Sequence, residues 1–142
     1  WMVPSSYQTN PLSAETAVAD FDGDGRMETI VLEHSGDLVQ YDVKSGMEEG
    51  RLEFGRHSIG DQAAADIDGD GRPEAIFCRG NQLIALRGGL AGAGPRILWI
   101  YELPAEGGPP IVADVNGDGF LEIVICTADG YVNVVDQTAE LN

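Results

Sequence analysis

The sequence predicts an all-β protein assembled from repeated four-stranded units, and three observations carry that reading. Nineteen glycines and seven prolines punctuate 142 residues, leaving short apolar runs between turns. Those runs are β-branched or alternate with period two, as strands do. One segment recurs three times: ADFDGDGRMETIVL at 19–32, ADIDGDGRPEAIFC at 65–78 and ADVNGDGFLEIVIC at 113–126. Its first aspartates lie 46 and 48 residues apart, and a period in the forties with several strands per repeat marks β-propeller blades.

Each repeat reads as a succession of strands. The first, at 16–19, 62–65 and 110–113, is short and rich in alanine. That composition suits the innermost strand of a blade, where strands crowd a central axis. The second follows the acidic loop, at 29–32, 75–78 and 122–126. Its continuous apolar character implies burial on both faces, and Pro73 fits just ahead of a strand. Tight turns come next, at His34-Ser35-Gly36-Asp37, Arg79-Gly80-Asn81 and Ala128-Asp129-Gly130, all built from hairpin residues. The third strand is 38–42, 83–87 and 132–136. The fourth is 51–54 in the first repeat and 97–101 in the second, where it follows a glycine-rich stretch at 88–95 that reads as a plain connection. No lysine or helix opening gives that stretch a phosphate-binding signature.

The third repeat has no fourth strand of its own. Trp1-Met2-Val3 resembles Trp99-Ile100-Tyr101, so 1–4 is expected to supply an outer closing strand. The organisation expected is therefore one propeller segment over 1–142, with blades at 12–54, 60–103 and 108–136. Propellers close with four to eight blades, and three alone leave apolar blade faces open. The deficit predicts completion by other copies or a longer chain, as a homo-oligomer or a filament.

The recurring loop carries the chemistry. In Asp20-Phe21-Asp22-Gly23-Asp24-Gly25-Arg26-Met27-Glu28, three carboxylates alternate over five residues and a fourth follows. The pattern resembles the start of an EF-hand loop, in which positions 1, 3 and 5 give side-chain oxygens and position 7 a carbonyl. Here the closing acid stands at position 9, and a strand rather than a helix follows. All-oxygen ligands with no Cys or His at ligand spacing suit calcium. A solvated acidic surface would not keep its acids in register with glycines.

The formal charge is −16, and the three loops hold eleven of the 24 acids. Only eight Lys and Arg are present and they are scattered, which argues against nucleic acid as a partner. No apolar run reaches the roughly 18 residues of a membrane-spanning helix. Three divalent ions would bring −16 to −10, relieving like charges packed within each loop. Cys78 and Cys126 each fall 12 residues after the first Asp of their loop and read as two buried free thiols. A bridge between adjacent repeats is the alternative. The chain starts at Trp1 and shows no signal peptide, which reads as a processed chain or an excised piece.

At these residues the sequence resembles the FG-GAP/VCBS family of calcium-binding propeller repeats, which includes the propeller of integrin α-subunits. The resemblance covers three periods. It implies that the side chains of Asp20, Asp22 and Asp24 bind calcium with the carbonyl of Arg26. The equivalents are Asp66, Asp68, Asp70 and the Arg72 carbonyl, then Asp114, Asn116, Asp118 and the Phe120 carbonyl. The closing acid is often Asp in the family and is Glu28, Glu74 and Glu122 here. Asn116 replaces an acid, so the third site is expected to bind more weakly. The Phe-Gly-Gly-Ala-Pro signature that names the family is absent. The segment 36–42 also resembles a strand of quinoprotein-type repeats.

A catalytic apparatus is not expected. His34 and His57 occupy non-equivalent loop positions, and neither lies near a nucleophile motif. The regular carboxylate pairs belong to the loops. Trp1, Tyr7, Trp99 and Tyr101 are expected to pack between blades rather than to stack a sugar. The reading is a non-enzymatic, calcium-stabilised module, secreted or at the cell surface, with a structural, adhesive or protein-interaction role and a protein or glycan as ligand. The alternatives are a fragment of a propeller polysaccharide lyase and an integrin-like ligand-recognition domain.

Overall fold

The structure, a computed structural model, describes residues 16–33, 35–55, 59–90 and 92–137. Eleven strands run through them in three antiparallel sheets. The first sheet takes β1 (Val18–Ala19), β2 (Glu28–Leu32), β3 (Asp37–Asp42) and β4 (Glu48–Glu53) in sequence order. The second repeats that meander with β5 (Ala63–Ala65), β6 (Glu74–Arg79), β7 (Gln82–Arg87) and β8 (Arg96–Glu102). The third has β9 (Ile111–Ala113), β10 (Glu122–Cys126) and β11 (Val132–Val135), and no fourth strand among the described residues. The architecture is all-β and blade-like, as the repeat period predicts.

Stacking of the sheets explains the uninterrupted apolar runs. Alternate residues of a strand point to opposite faces, so a strand covered on both sides must be apolar throughout. Ala75 and Phe77 of β6, with Ile84 and Leu86 of β7, join Phe21, Ile30 and Leu38 in one core. Ile76 and Cys78, with Leu83 and Ala85, join Ile67, Ile123, Ile125 and Val135 in another. The middle sheet is thus the shared wall of two cores. Trp99 and Tyr101 pack against the second, in the inter-blade role expected of them. Phe54 meets Phe77 edge to face, and the Arg79 guanidinium lies 4.5 Å from the Phe54 ring centroid.

Two expectations need correction. The glycine-rich stretch at 88–95 is a packed joint rather than a plain connection. The buried Gln40 amide donates to the Gly89 carbonyl at 2.9 Å and accepts from the Gly89 amide at 3.0 Å. A methyl group at Gly50 would lie 2.3 Å from the Gly94 nitrogen, so strand and loop touch backbone to backbone. Glycine is needed there for space.

The second correction concerns the cysteines. Both are free, but only Cys78 is buried; Cys126 is exposed. Their positions in the repeat are equivalent, and the difference lies in what faces them. Cys78 looks into the core shared with the third sheet. Val124 and Cys126 look the opposite way from Ile123 and Ile125, onto a face that no further sheet covers among the described residues. Ile111 and Val134 pair with Val124, and Val132 pairs with Cys126, on that same face. Ile111 is 65% exposed and Val132 64%. The closing strand at 1–4, together with Tyr7, His34 and His57, lies outside the described residues.

Burial pushes the Cys78 thiol up to about 11, so it stays protonated and shielded near neutrality. Alkylation of the native protein at about pH 8 should modify one thiol, Cys126, and unfolding should release the second. Equal labelling of both in the native state would contradict this stacking of the sheets.

Candidate metal centres

The three acidic loops join β1 to β2, β5 to β6 and β9 to β10, and their backbones close in the same way. The first aspartate of each holds the amides of both loop glycines. Asp20 accepts from Gly23 at 2.7 Å and Gly25 at 2.9 Å, and Asp66 from Gly69 and Gly71 at 2.8 Å each. Asp114 accepts from Gly117 at 2.6 Å and Gly119 at 3.0 Å. The third and fifth positions each accept from the amide two residues on. These turns need positive φ at both glycines, 79° and 88° at Gly23 and Gly25, a region costly for any side chain.

The closing glutamate has a role that its sequence position alone does not reveal. Glu28 Oε2 accepts from the Phe21 amide at 2.8 Å, Glu74 Oε2 from Ile67 at 3.1 Å and Glu122 Oε2 from Val115 at 2.9 Å. Each carboxylate therefore clasps the start of its loop to the first residue of the following strand. The clasped residue carries a side chain towards the next sheet. Phe21 and Ile67 enter the two cores, while Val115 is exposed on the open face. Loop geometry and blade stacking are thus coupled through one carboxylate per repeat.

The second oxygen of that carboxylate separates the loops. Glu28 is fully buried, and its Oε1 has no hydrogen-bond partner. An ionised oxygen left so is costly. Burial, helped by the charges of Asp22 and Glu49, pushes the Glu28 carboxyl up to about 7. Asp20, Asp22, Asp24 and Glu28 each offer an oxygen within 4.8 Å of the others. This all-oxygen set, with an orphaned buried oxygen among its members, fits a hard divalent cation.

In the second loop the arrangement differs. Asp66, Asp68 and Asp70 gather within the same limit. The Arg87 guanidinium, however, reaches over them, with Nη2 bonded to Asp68, 3.3 Å from Asp70 Oδ2 and 3.4 Å from Glu74 Oε1. In the third loop the Asn116 amide donates to Asp118 Oδ2 at 3.0 Å and to Glu122 Oε1 at 3.1 Å. Arg26 and Arg72 each pair with the aspartate two residues before them, and Arg26 also reaches the buried Asp42 and Glu49, while the Phe120 side chain is exposed.

Sequence reasoning about ligands passed over Arg87. Its signal lay in the repeat alignment: Glu28 pairs across the strands with Asp42, whereas Glu74 pairs with Arg87.

Comparison with known proteins agrees with this architecture. Residues 66–125 match the family of FG-GAP-like repeats, a stretch running from the second acidic loop into β10. The matched stretch is therefore similar to FG-GAP-like repeats, the family its loops resemble. A crystal structure of BBS1N in complex with ARL6DN, soaked with lead, is similar to it with a TM-score of 0.62 at 11% identity. The match covers 94% of this chain and 43% of that one, so this chain spans less than half of its neighbour. At that identity the likeness concerns the fold, which is of the β-propeller type. No curated protein matched the sequence. The fold is thus of the β-propeller type, with an FG-GAP-like repeat matched over residues 66–125.

The orphaned oxygen makes a substitution informative. In Glu28→Gln the retained carbonyl can still accept from Phe21, and the buried unpaired charge is removed. The metal-free variant should melt at or above the wild-type temperature and lose any stabilisation that a divalent cation gives through the first loop. A site filled at a hundredfold excess over its Kd stabilises by about 2.7 kcal/mol, readily seen in a thermal melt with and without calcium. An unchanged calcium response in Glu28→Gln would remove Glu28 from the ligand set.

Proposed function

We propose that the chain is a calcium-stabilised, extracellular β-propeller module that works by protein interaction and associates with further copies of itself through its open blade face. The observation carrying this reading is the uncovered outer face of the third sheet. Ile111, Val124, Val134, Val132 and Cys126 lie together there, and Val115 at the end of the adjoining loop is exposed as well. The corresponding residues of the middle sheet form a core. A face of this kind matches what one sheet presents to the next, so another blade is the surface that complements it.

Calcium is proposed for the acidic loops, up to one ion per repeat, through the residues at loop positions 1, 3, 5 and 9 and the carbonyl at position 7. Oxygen donors and the buried Glu28 oxygen support it. An ion bound only by the folded loop adds its binding energy to folding. The extracellular setting rests on the resemblance of the loops to integrin-type propeller repeats. The role is structural and interactive rather than enzymatic. The acids are committed to loop amides, and the arginines Arg26, Arg51, Arg72 and Arg87 are paired with carboxylates. A protein or a glycan is the ligand class proposed for the assembled module.

Sedimentation velocity in calcium and in chelator tests the reading. Assembly is expected with calcium and dissociation without it. Val132→Glu, placed on the open face, should yield a monomer that melts like the wild type. A calcium-loaded wild type that stays monomeric at high concentration would overturn self-association.

A further inference from the structure

We infer that the second loop carries its own cation, the Arg87 guanidinium, so that divalent ions load the first loop first and enter the second only by displacing Arg87. The inference rests on the calcium reading of the loops and concerns their inequality. One oxygen from each of Asp20, Asp22, Asp24 and Glu28 lies within 4.8 Å of the others in the first loop, whereas in the second only those of Asp66, Asp68 and Asp70 do. In the first loop Glu28 Oε1 is buried without a partner, and the residue paired with Glu28 across the strands is another acid, Asp42. Asp42 is itself buried, with Oδ2 3.3 Å from Arg26 Nη1. The Arg26 side chain is half exposed and lies towards Asp24, Asp42 and Glu49 rather than over Asp22 and Glu28.

In the second loop the position of Asp42 is taken by Arg87, paired across the strands with Glu74. Its side chain is 12% exposed, and one terminal nitrogen lies against Asp68, Asp70 and Glu74 together. The Nε of Arg87 also lies 3.4 Å from Glu74 Oε1. A guanidinium cannot shed its charge near neutrality, so an entering dication meets a fixed positive charge at contact distance. Entry requires Arg87 to leave a half-buried seat and give up these pairs. The third loop stands apart from both. Its bridging group is the neutral Asn116 amide, so filling it requires rotation of an amide and displaces no charge.

The same contrast predicts that the second sheet depends less on metal than the first. Three acids of its loop already face a cation supplied by β7. The first sheet has no such supply from β3, and its loop depends on an ion from solution.

Calcium titration by calorimetry, using the whole chain after chelator treatment, tests the inference. Wild type should show a tight phase that Asp20→Asn abolishes and Asp66→Asn leaves in place. Arg87→Gln should raise the affinity of the second loop by about tenfold or more and add a second tight ion. The same variant should be less stable than wild type in chelator and recover in calcium. Equal loss of tight binding in Asp20→Asn and Asp66→Asn, with no gain in Arg87→Gln, would overturn the inference and leave calcium binding standing. The two aspartate variants decide the order of loading even if Arg87→Gln folds poorly. Absence of calcium binding in wild type and all variants would instead remove the calcium reading on which the inference rests.

Discussion

Carboxylates crowded into tight turns are the constraint on which this structure depends. Each loop brings several acids within a few ångströms of one another, a state that repulsion opposes. The backbone answers with amides. Asp20, Asp66 and Asp114 each hold two glycine N–H groups, and the closing glutamates hold the N–H of Phe21, Ile67 and Val115. These bonds use one oxygen of each closing glutamate and leave the other facing its neighbours. What meets that second oxygen decides whether a loop is complete in itself.

The clasp made by the glutamate also connects charge to packing. Phe21 and Ile67 are anchored at the backbone by the glutamate and at the side chain by the next sheet. Disturbing the loop therefore shifts a core residue, and opening the core loosens the loop. That reciprocity gives a bound ion a route to the interface between blades without any long-range device. Val115 has only the backbone half of this coupling, because its side chain is exposed.

Much of this was legible in the sequence because the repeat writes the same physical solution three times. The D-x-D/N-G-D-G run placed each loop, and apolar runs such as Ala75-Ile76-Phe77-Cys78 announced a strand covered on both faces. Strand ends were less legible: β4 begins at Glu48 rather than at Arg51, because Glu48, Glu49 and Gly50 lack an apolar signature yet pair with β3. The joint at 88–95 was read as a plain connection because glycines give no hint of what they approach. Gln40, which meets it, lies 49 residues before Gly89, and Gly50 lies well before the Gly94 it touches. Cys126 was expected to match Cys78 because sequence equivalence says nothing about whether a following blade exists to cover the residue.

The same limit explains why Arg87 was missed, and it bears on how such repeats differ from one another. A motif search looks along the chain, whereas the charge balance of a loop is set across the sheet, by the residue opposite the closing acid. Asp42 and Arg87 occupy one structural position and give it opposite signs. On the proposed reading, a single substitution there would convert a loop that draws a cation out of solution into one that brings its own, with no change in the motif. Repeats that share a calcium signature can therefore divide the work: one blade fixed independently of metal, its neighbour fixed only when metal is present. In this chain the middle sheet, the wall of both cores, is the one holding the guanidinium. If the loops bind calcium as proposed, the element on which both cores depend is the one least exposed to changes in the ion, and sensitivity falls on the first sheet.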